Sequence, residues 1–137
     1  MKKHQWTVGI LLFDQVDLTD ITGPSEVFHQ EEIIQWIARS SSQSQLMTSV
    51  CTGAFLLAQA GLLTGKRATT HWAALDQFEQ QFPQIQVQRT AKFVDEGPII
   101  TAAALTAGFH MALHVVERLL GEQMAQAVAK GIDMEGL

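Results

Sequence analysis

The single cysteine of the chain, Cys51, lies in the stretch QLMTSVCTGAFLLAQAGLL, where a strand-like run meets an apolar helical pattern. Where a strand ends and a helix begins, unpaired backbone N–H groups and the helix dipole favour the negative charge of a thiolate, the nucleophilic form of cysteine. Gly53, two residues later, permits a tight strand-to-helix turn that a larger residue would obstruct, as in a nucleophile elbow. This placement indicates nucleophilic catalysis. The alternative interpretation is a small buried hydrophobic residue, as most free cysteines are.

The elements that must position Cys51 alternate between strands and helices. The alternation favours a three-layer α/β fold, a mainly parallel sheet with helices on both faces. Residues 40–45 are predicted to form a turn, and Asp95-Glu96-Gly97 to form the turn of a hairpin. Strands are predicted at 7–13, 46–50, within 66–71, at 87–94 and at 98–103, and helices from 24 onward and at 53–60, 73–82, 106–120 and 122–130.

Composition narrows the classes of protein and partner. With 137 residues, of which 47% are hydrophobic and 17% charged, the chain is expected to form one domain over 1–137. A net charge of −5 offers no basic surface for nucleic acid or anionic lipid, so neither is expected as a partner. The apolar run 8–13 is too short to span a membrane. A lone cysteine is compatible with a reducing compartment, and the protein is expected to be cytoplasmic.

Three stretches resemble the ThiJ/PfpI superfamily, within the class I glutamine amidotransferase-like (flavodoxin-like) fold, and in particular the isonitrile hydratases. TSVCTGAFLLAQAGLLTGKRATTHW is similar to the elbow region of that family. TDITGPSEVF, residues 19–28, is similar to the segment after its first strand, and GPIITAAALTAGFHMALHVVERLLG is similar to its closing strand and helix. Together the three stretches cover most of the chain.

The resemblance implies a set of catalytic residues. In the hydratases an acidic residue after the first strand, the elbow cysteine and the adjacent threonine carry the reaction, and matching by motif assigns these roles to Asp20, Cys51 and Thr52. Gly23 and Gly53 are expected to support the site. Asp17 is excluded by this register, because Asp20 is the aspartate three residues before Gly23. The implied reaction adds water to a small-molecule isonitrile and gives an N-substituted formamide without a cofactor.

The chain departs from the family pattern in one place. About fifty residues, more than one βαβ unit, are absent between Gly23-Pro24 and Cys51. They include a central strand and the Pro-Gly-Gly loop that usually contributes to the oxyanion hole. The fold is therefore expected to be shortened, with three possible outcomes: the flanking strands close up, a partner chain fills the gap, or the fold is compromised.

Other residues whose side chains could bind a ligand or a metal have simpler structural interpretations. His71, at the end of a strand near the elbow, is expected either to orient a substrate or to be a structural histidine bonded to the backbone. His110, His114 and Glu117 have ligand spacing on a helix, but Met111 stands where a metalloprotease has glutamate, so no metal site is predicted. The stretch GLLTGKR lacks the spacing of a phosphate-binding loop. The three tryptophans are expected to be core or interface anchors.

The sequence is compatible with two functions from different classes. The first is a cysteine-dependent hydratase of the isonitrile type. The second is a non-catalytic or ligand-sensing domain, since similar domains occur fused to DNA-binding regions in transcriptional regulators. Family members are commonly homodimers, and a shortened fold exposes more apolar surface, so a homodimer or larger assembly is expected.

Overall fold

The computed structural model describes the backbone of residues 24–135 and the side chains of residues 31–135. Asp20, Gly23 and the strand predicted at 7–13 lie outside the described residues. The elements are, in chain order, α1 (Pro24–Gln43), β1 (Met47–Val50), α2 (Gly53–Gln59), β2 (Arg67–Ala68), a 3₁₀ turn (Trp72–Ala74), α3 (Leu75–Gln81), β3 (Gln86–Val87), β4 (Phe93–Asp95), β5 (Ile99–Ala102), α4 (Leu105–Leu120) and α5 (Glu122–Gly131).

The described strands form two small sheets. The larger has the order β1-β5-β4, with β1 parallel to β5 and β4 antiparallel to β5. The smaller consists of the parallel pair β2 and β3. The main chain N–H of Arg67 and its Nε both donate to Glu96 Oε1, at 2.9 and 2.8 Å, which ties β2 to the turn of the β4–β5 hairpin. These two bonds hold the pKa of Glu96 below its ordinary value.

Helices cover both faces of the larger sheet, as expected. Successive residues of a strand point to opposite faces, and β5 shows this clearly. Ile99 belongs to the core cluster that contains α2 residues, whereas Ile100 and Ala102 pack with Ala107 and Met111 of α4. The shortened three-layer α/β fold, with a mixed and mostly parallel sheet, is therefore confirmed.

The helix that follows the cysteine is buried almost all round. Residues 54–58 of α2 are buried, and the Phe55 ring lies 5.0 Å from that of Phe78 on α3. An all-apolar helix of this kind belongs inside a core, which the sequence pattern predicted. Its bounds and those of β1, α4 and α5 agree with the prediction to within one residue at each end.

The single strand predicted at 87–94 is wrong. The structure has two short strands there, β3 paired with β2 and β4 paired with β5, so the chain crosses from one sheet to the other between them. Arg89 in this crossing donates to Glu79 at 2.7 Å and to Asp76 at 2.9 Å, which attaches the crossing to α3. Local propensity did not reveal the crossing, because pairing partners decide where a strand is interrupted.

The turn predicted at residues 40–45 is also wrong for its first part, because α1 continues to Gln43. Two serine hydroxyls donate hydrogen bonds to main chain carbonyls of this last helical turn. Ser42 Oγ donates to the Arg39 carbonyl at 2.7 Å, and Ser44 Oγ donates to the Ser40 carbonyl at 2.6 Å. The side chains thus satisfy acceptors at the helix end that would otherwise rely on water.

Two of the three tryptophans lie at the protein surface. Trp36 and Trp72 are 47% and 77% exposed, so the core alternative is wrong for both, and Trp6 lies outside the described residues. Within residues 24–135, no helix has the length and apolar character needed to cross a membrane.

Candidate active site

Cys51 occupies a strained backbone position directly after β1. Its φ is 58°, in the left-handed region that non-glycine residues seldom adopt. Its N–H donates to the Ala102 carbonyl of β5 at 2.9 Å, which extends the β1–β5 pairing by one step. The residue as a whole is partly exposed. A strained backbone at the junction of a strand and a helix is the backbone geometry of a nucleophile elbow.

The carbonyl group of Cys51 accepts a hydrogen bond from a threonine. Thr70 Oγ1 donates to the Cys51 carbonyl at 2.9 Å, and Thr70 is only 1% exposed. Thr70 lies two residues beyond β2, so a segment distant in sequence reaches the turn. Both main chain polar groups of Cys51 are therefore hydrogen-bonded.

Thr52 and Gly53 begin the helix that follows. Thr52 is the N-cap residue of α2, with φ −72° and ψ −3°, and its side chain makes no capping hydrogen bond. The role expected of Gly53 requires correction, because the positive φ is at Cys51. A Cβ added at Gly53 would only touch Ser49 Cβ at an ordinary 3.5 Å. The turn does not need glycine at position 53.

His71 makes the backbone contact that the structural interpretation expected. It is the N-cap of the 3₁₀ turn, and its Nδ1 accepts a hydrogen bond from the Ala73 N–H at 3.2 Å. Its ring lies 5.3 Å from that of Trp72. Because Thr70 contacts Cys51, His71 and Trp72 follow at the same end of the sheet as the thiol.

The two histidines of α4, His110 and His114, have different surroundings. His114 Nε2 lies 2.7 Å from Asp95 Oδ2, and its ring is 5.0 Å from that of Phe93. His110 and Glu117 line an open cleft of about 590 Å³ between α4 and α5, together with Glu122. Among the residues that the structure describes, no three of His, Cys, Asp and Glu are grouped to hold a metal ion.

The site assembled by the described residues contains Cys51, Thr52, Gly53 and the segment Thr70–His71. Asp20 and Gly23, which complete the predicted set, lie outside the described residues. Thr70 was missed from the sequence. Its signal was its position just after a strand, since the carboxyl ends of parallel strands meet where α/β proteins place their sites.

These features define an α/β domain with a cysteine at a nucleophile elbow. The chain belongs to the DJ-1/PfpI family, whose profile matches residues 21–118. It is 36% identical over 107 residues to isonitrile hydratase from Pseudomonas putida, covering 77% of this chain and 45% of that protein. It is also 36% identical over 98 residues to the HTH-type transcriptional regulator CdhR from Pseudomonas aeruginosa, covering 72% of this chain and 29% of that protein.

A solved structure supports the same assignment. A THiJ/PfpI family protein from Pseudomonas syringae superimposes with a TM-score of 0.69 at 30% sequence identity, covering 77% of this chain and 43% of that one. The matched part of the chain spans less than half the length of each of these three relatives.

Proposed function

We propose that this chain is an isonitrile hydratase-like enzyme that uses Cys51 to convert a small-molecule isonitrile into an N-substituted formamide. The observation that carries the proposal is the strained, partly exposed Cys51 after β1, hydrogen-bonded on both sides of its backbone. The identity to isonitrile hydratase over most of this chain supports the choice of substrate class. The reaction is expected to take place in the cytoplasm.

The proposed reaction proceeds in two balanced steps. The Cys51 thiolate adds to the terminal carbon of the isonitrile, and that carbon takes up a proton, which gives a thioimidate. Water then adds to the same carbon, and the C–S bond breaks to release the formamide and the thiolate. Asp20 would move the protons, and the Thr52 hydroxyl would donate to the charge that develops during addition. The net change is the addition of one water molecule.

The direct test is formamide production from a simple isonitrile. We expect Cys51→Ala and Asp20→Asn to reduce the rate to that of buffer alone, because one removes the nucleophile and the other the proton carrier. Asp17→Asn is the matched control, since it makes the same change three residues away and is expected to keep the parental rate.

Equal rates in the parent, Cys51→Ala and Asp20→Asn would contradict the proposal. Circular dichroism of each variant separates loss of chemistry from loss of fold.

A second candidate function is a ligand-sensing domain without catalysis. The 36% identity to the regulator CdhR favours it. In that case the same small molecule would bind and raise the unfolding temperature, while no formamide would form in the parent.

A further inference from the structure

The carbonyl of Cys51 is held by a hydrogen-bond network that joins three parts of the chain. The Cys51 N–H donates to Ala102 on β5, and Thr70 Oγ1 donates to the Cys51 carbonyl. The segment that carries Thr70 is itself attached to β5, because the Thr69 N–H donates to Thr101 Oγ1 at 3.0 Å. β5 therefore supports the turn both directly and through residues 69–70.

The three threonines of this network are buried. Thr69, Thr70 and Thr101 are each 1% exposed. Because Thr70 is buried, loss of its hydroxyl removes the hydrogen bond that the Cys51 carbonyl receives from inside the protein. The bond from Thr70 is thus a fixed constraint on the backbone of Cys51.

We propose that Thr70 is a positioning residue for the Cys51 nucleophile. Its hydroxyl holds the Cys51 carbonyl and so keeps this residue at its left-handed φ, which sets the direction of the Cα–Cβ bond and of Sγ. Without the hydroxyl, Cys51 relaxes towards a negative φ, and the thiol no longer faces the substrate. The inference rests on the proposed function only for the identity of that substrate.

The test compares variants that differ in the hydroxyl alone. Thr70→Val keeps the shape of the side chain and removes the donor, whereas Thr70→Ser keeps the donor. The readout is the rate of Cys51 alkylation by iodoacetamide from pH 5 to pH 9. We expect Thr70→Val to react at least fivefold more slowly at neutral pH with an altered pH profile, and Thr70→Ser to stay within twofold of the parent.

Thr69→Val is the matched control. Thr69 is equally buried and contacts Thr101 through its main chain N–H, which valine retains, so its alkylation profile is expected to match that of the parent. Equal profiles for Thr70→Val and the parent would overturn the proposal, as would an equal loss in Thr69→Val. If Thr70→Val does not fold, Thr70→Ala and Thr70→Ser make the same comparison, and equal rates in that pair count against the proposal.

Alkylation requires no isonitrile turnover, so this test is independent of the proposed reaction. If the parent forms formamide, we expect Thr70→Val to lower kcat with little change in KM, because a misdirected thiol affects the chemical step more than binding. A parent that forms no formamide would contradict the hydratase and leave the alkylation comparison intact.

Discussion

Cys51, the proposed nucleophile, has an unfavourable backbone conformation. A left-handed φ costs a residue with a Cβ about 1–2 kcal/mol, and such residues persist only where the surroundings hold them. Here the surroundings are the carbonyl of Ala102 and the hydroxyl of Thr70. The strain arises from the backbone conformation at position 51 and not from the sulfur atom. It can therefore be measured in variants that have no thiol at this position.

Glycine and alanine at position 51 should reverse their usual order of stability. In the middle of a helix or strand, glycine makes a protein about 0.5–1 kcal/mol less stable than alanine does. At a positive φ the order changes, because glycine has no Cβ that clashes with the backbone. We expect Cys51→Gly to have a free energy of unfolding about 1 kcal/mol higher than Cys51→Ala, measured by urea denaturation. Equal values, or a more stable alanine variant, would show that position 51 carries no strain.

At the scale of elements, one carboxylate connects the β4–β5 hairpin to α4. Asp95 Oδ1 accepts the Gly97 N–H at 2.7 Å within the turn, where Gly97 has φ +90°. His114 and Arg118, one helical turn apart, both contact Asp95, and Arg118 also donates to the Gly97 carbonyl at 2.8 Å. Asp95 thus fixes the turn and the helix at the same time.

This connection predicts a dependence of stability on pH. Partial burial raises the pKa of Asp95, but the bonds from His114 and Gly97 and the charge of Arg118 outweigh it and leave the pKa below its ordinary value. A carboxylate with a lowered folded-state pKa stabilises the fold fully above its unfolded pKa of about 4, and this stability is lost progressively as the pH falls from there through the lower folded-state pKa.

We expect Asp95→Asn to lower the free energy of unfolding by about 1–2 kcal/mol at pH 7 and by much less at pH 3, measured by urea denaturation. Glu79→Gln, in an exposed pair with Arg89, is the control and should cost about 0–1 kcal/mol. An Asp95→Asn deficit of the same size at both pH values would contradict the connection.

The same elements show how far the sequence could predict the fold and the site. The apolar run after Cys51 and the Asp95-Glu96-Gly97 turn are local signals, and both α2 and the hairpin were predicted from them. The crossing between β3 and β4 and the bond from Thr70 to Cys51 depend on contacts between distant segments. Such contacts leave no periodic pattern in one sequence. The position of Thr70 after a strand indicates that it lies near the site, but not that it bonds to Cys51.

At the scale of the whole molecule, an apolar stripe remains exposed at the carboxyl-terminal end. Leu120, Met124, Val128 and Ile132 recur at intervals of four residues, and α5 has no buried residue. A contiguous exposed apolar surface often marks a protein–protein contact. Together with the shortened fold, it is the reason that we expect self-association.

Light scattering at micromolar concentration tests this expectation. We expect the mass of a dimer or a larger assembly, because burial of apolar side chains is the main favourable term in association. A monomeric mass across that concentration range would contradict it.

The parallel pairing of β1 with β5 has a consequence for how the protein is made. Val50, the residue before Cys51, can pair with Ala102 only after the intervening segment and β5 have been synthesised. Contacts that close such a long loop form slowly. In a ribosome-bound or partly refolded chain, Cys51 is therefore expected to lack its strained φ. Its reactivity towards an electrophile should appear late in folding, when β1 pairs with β5.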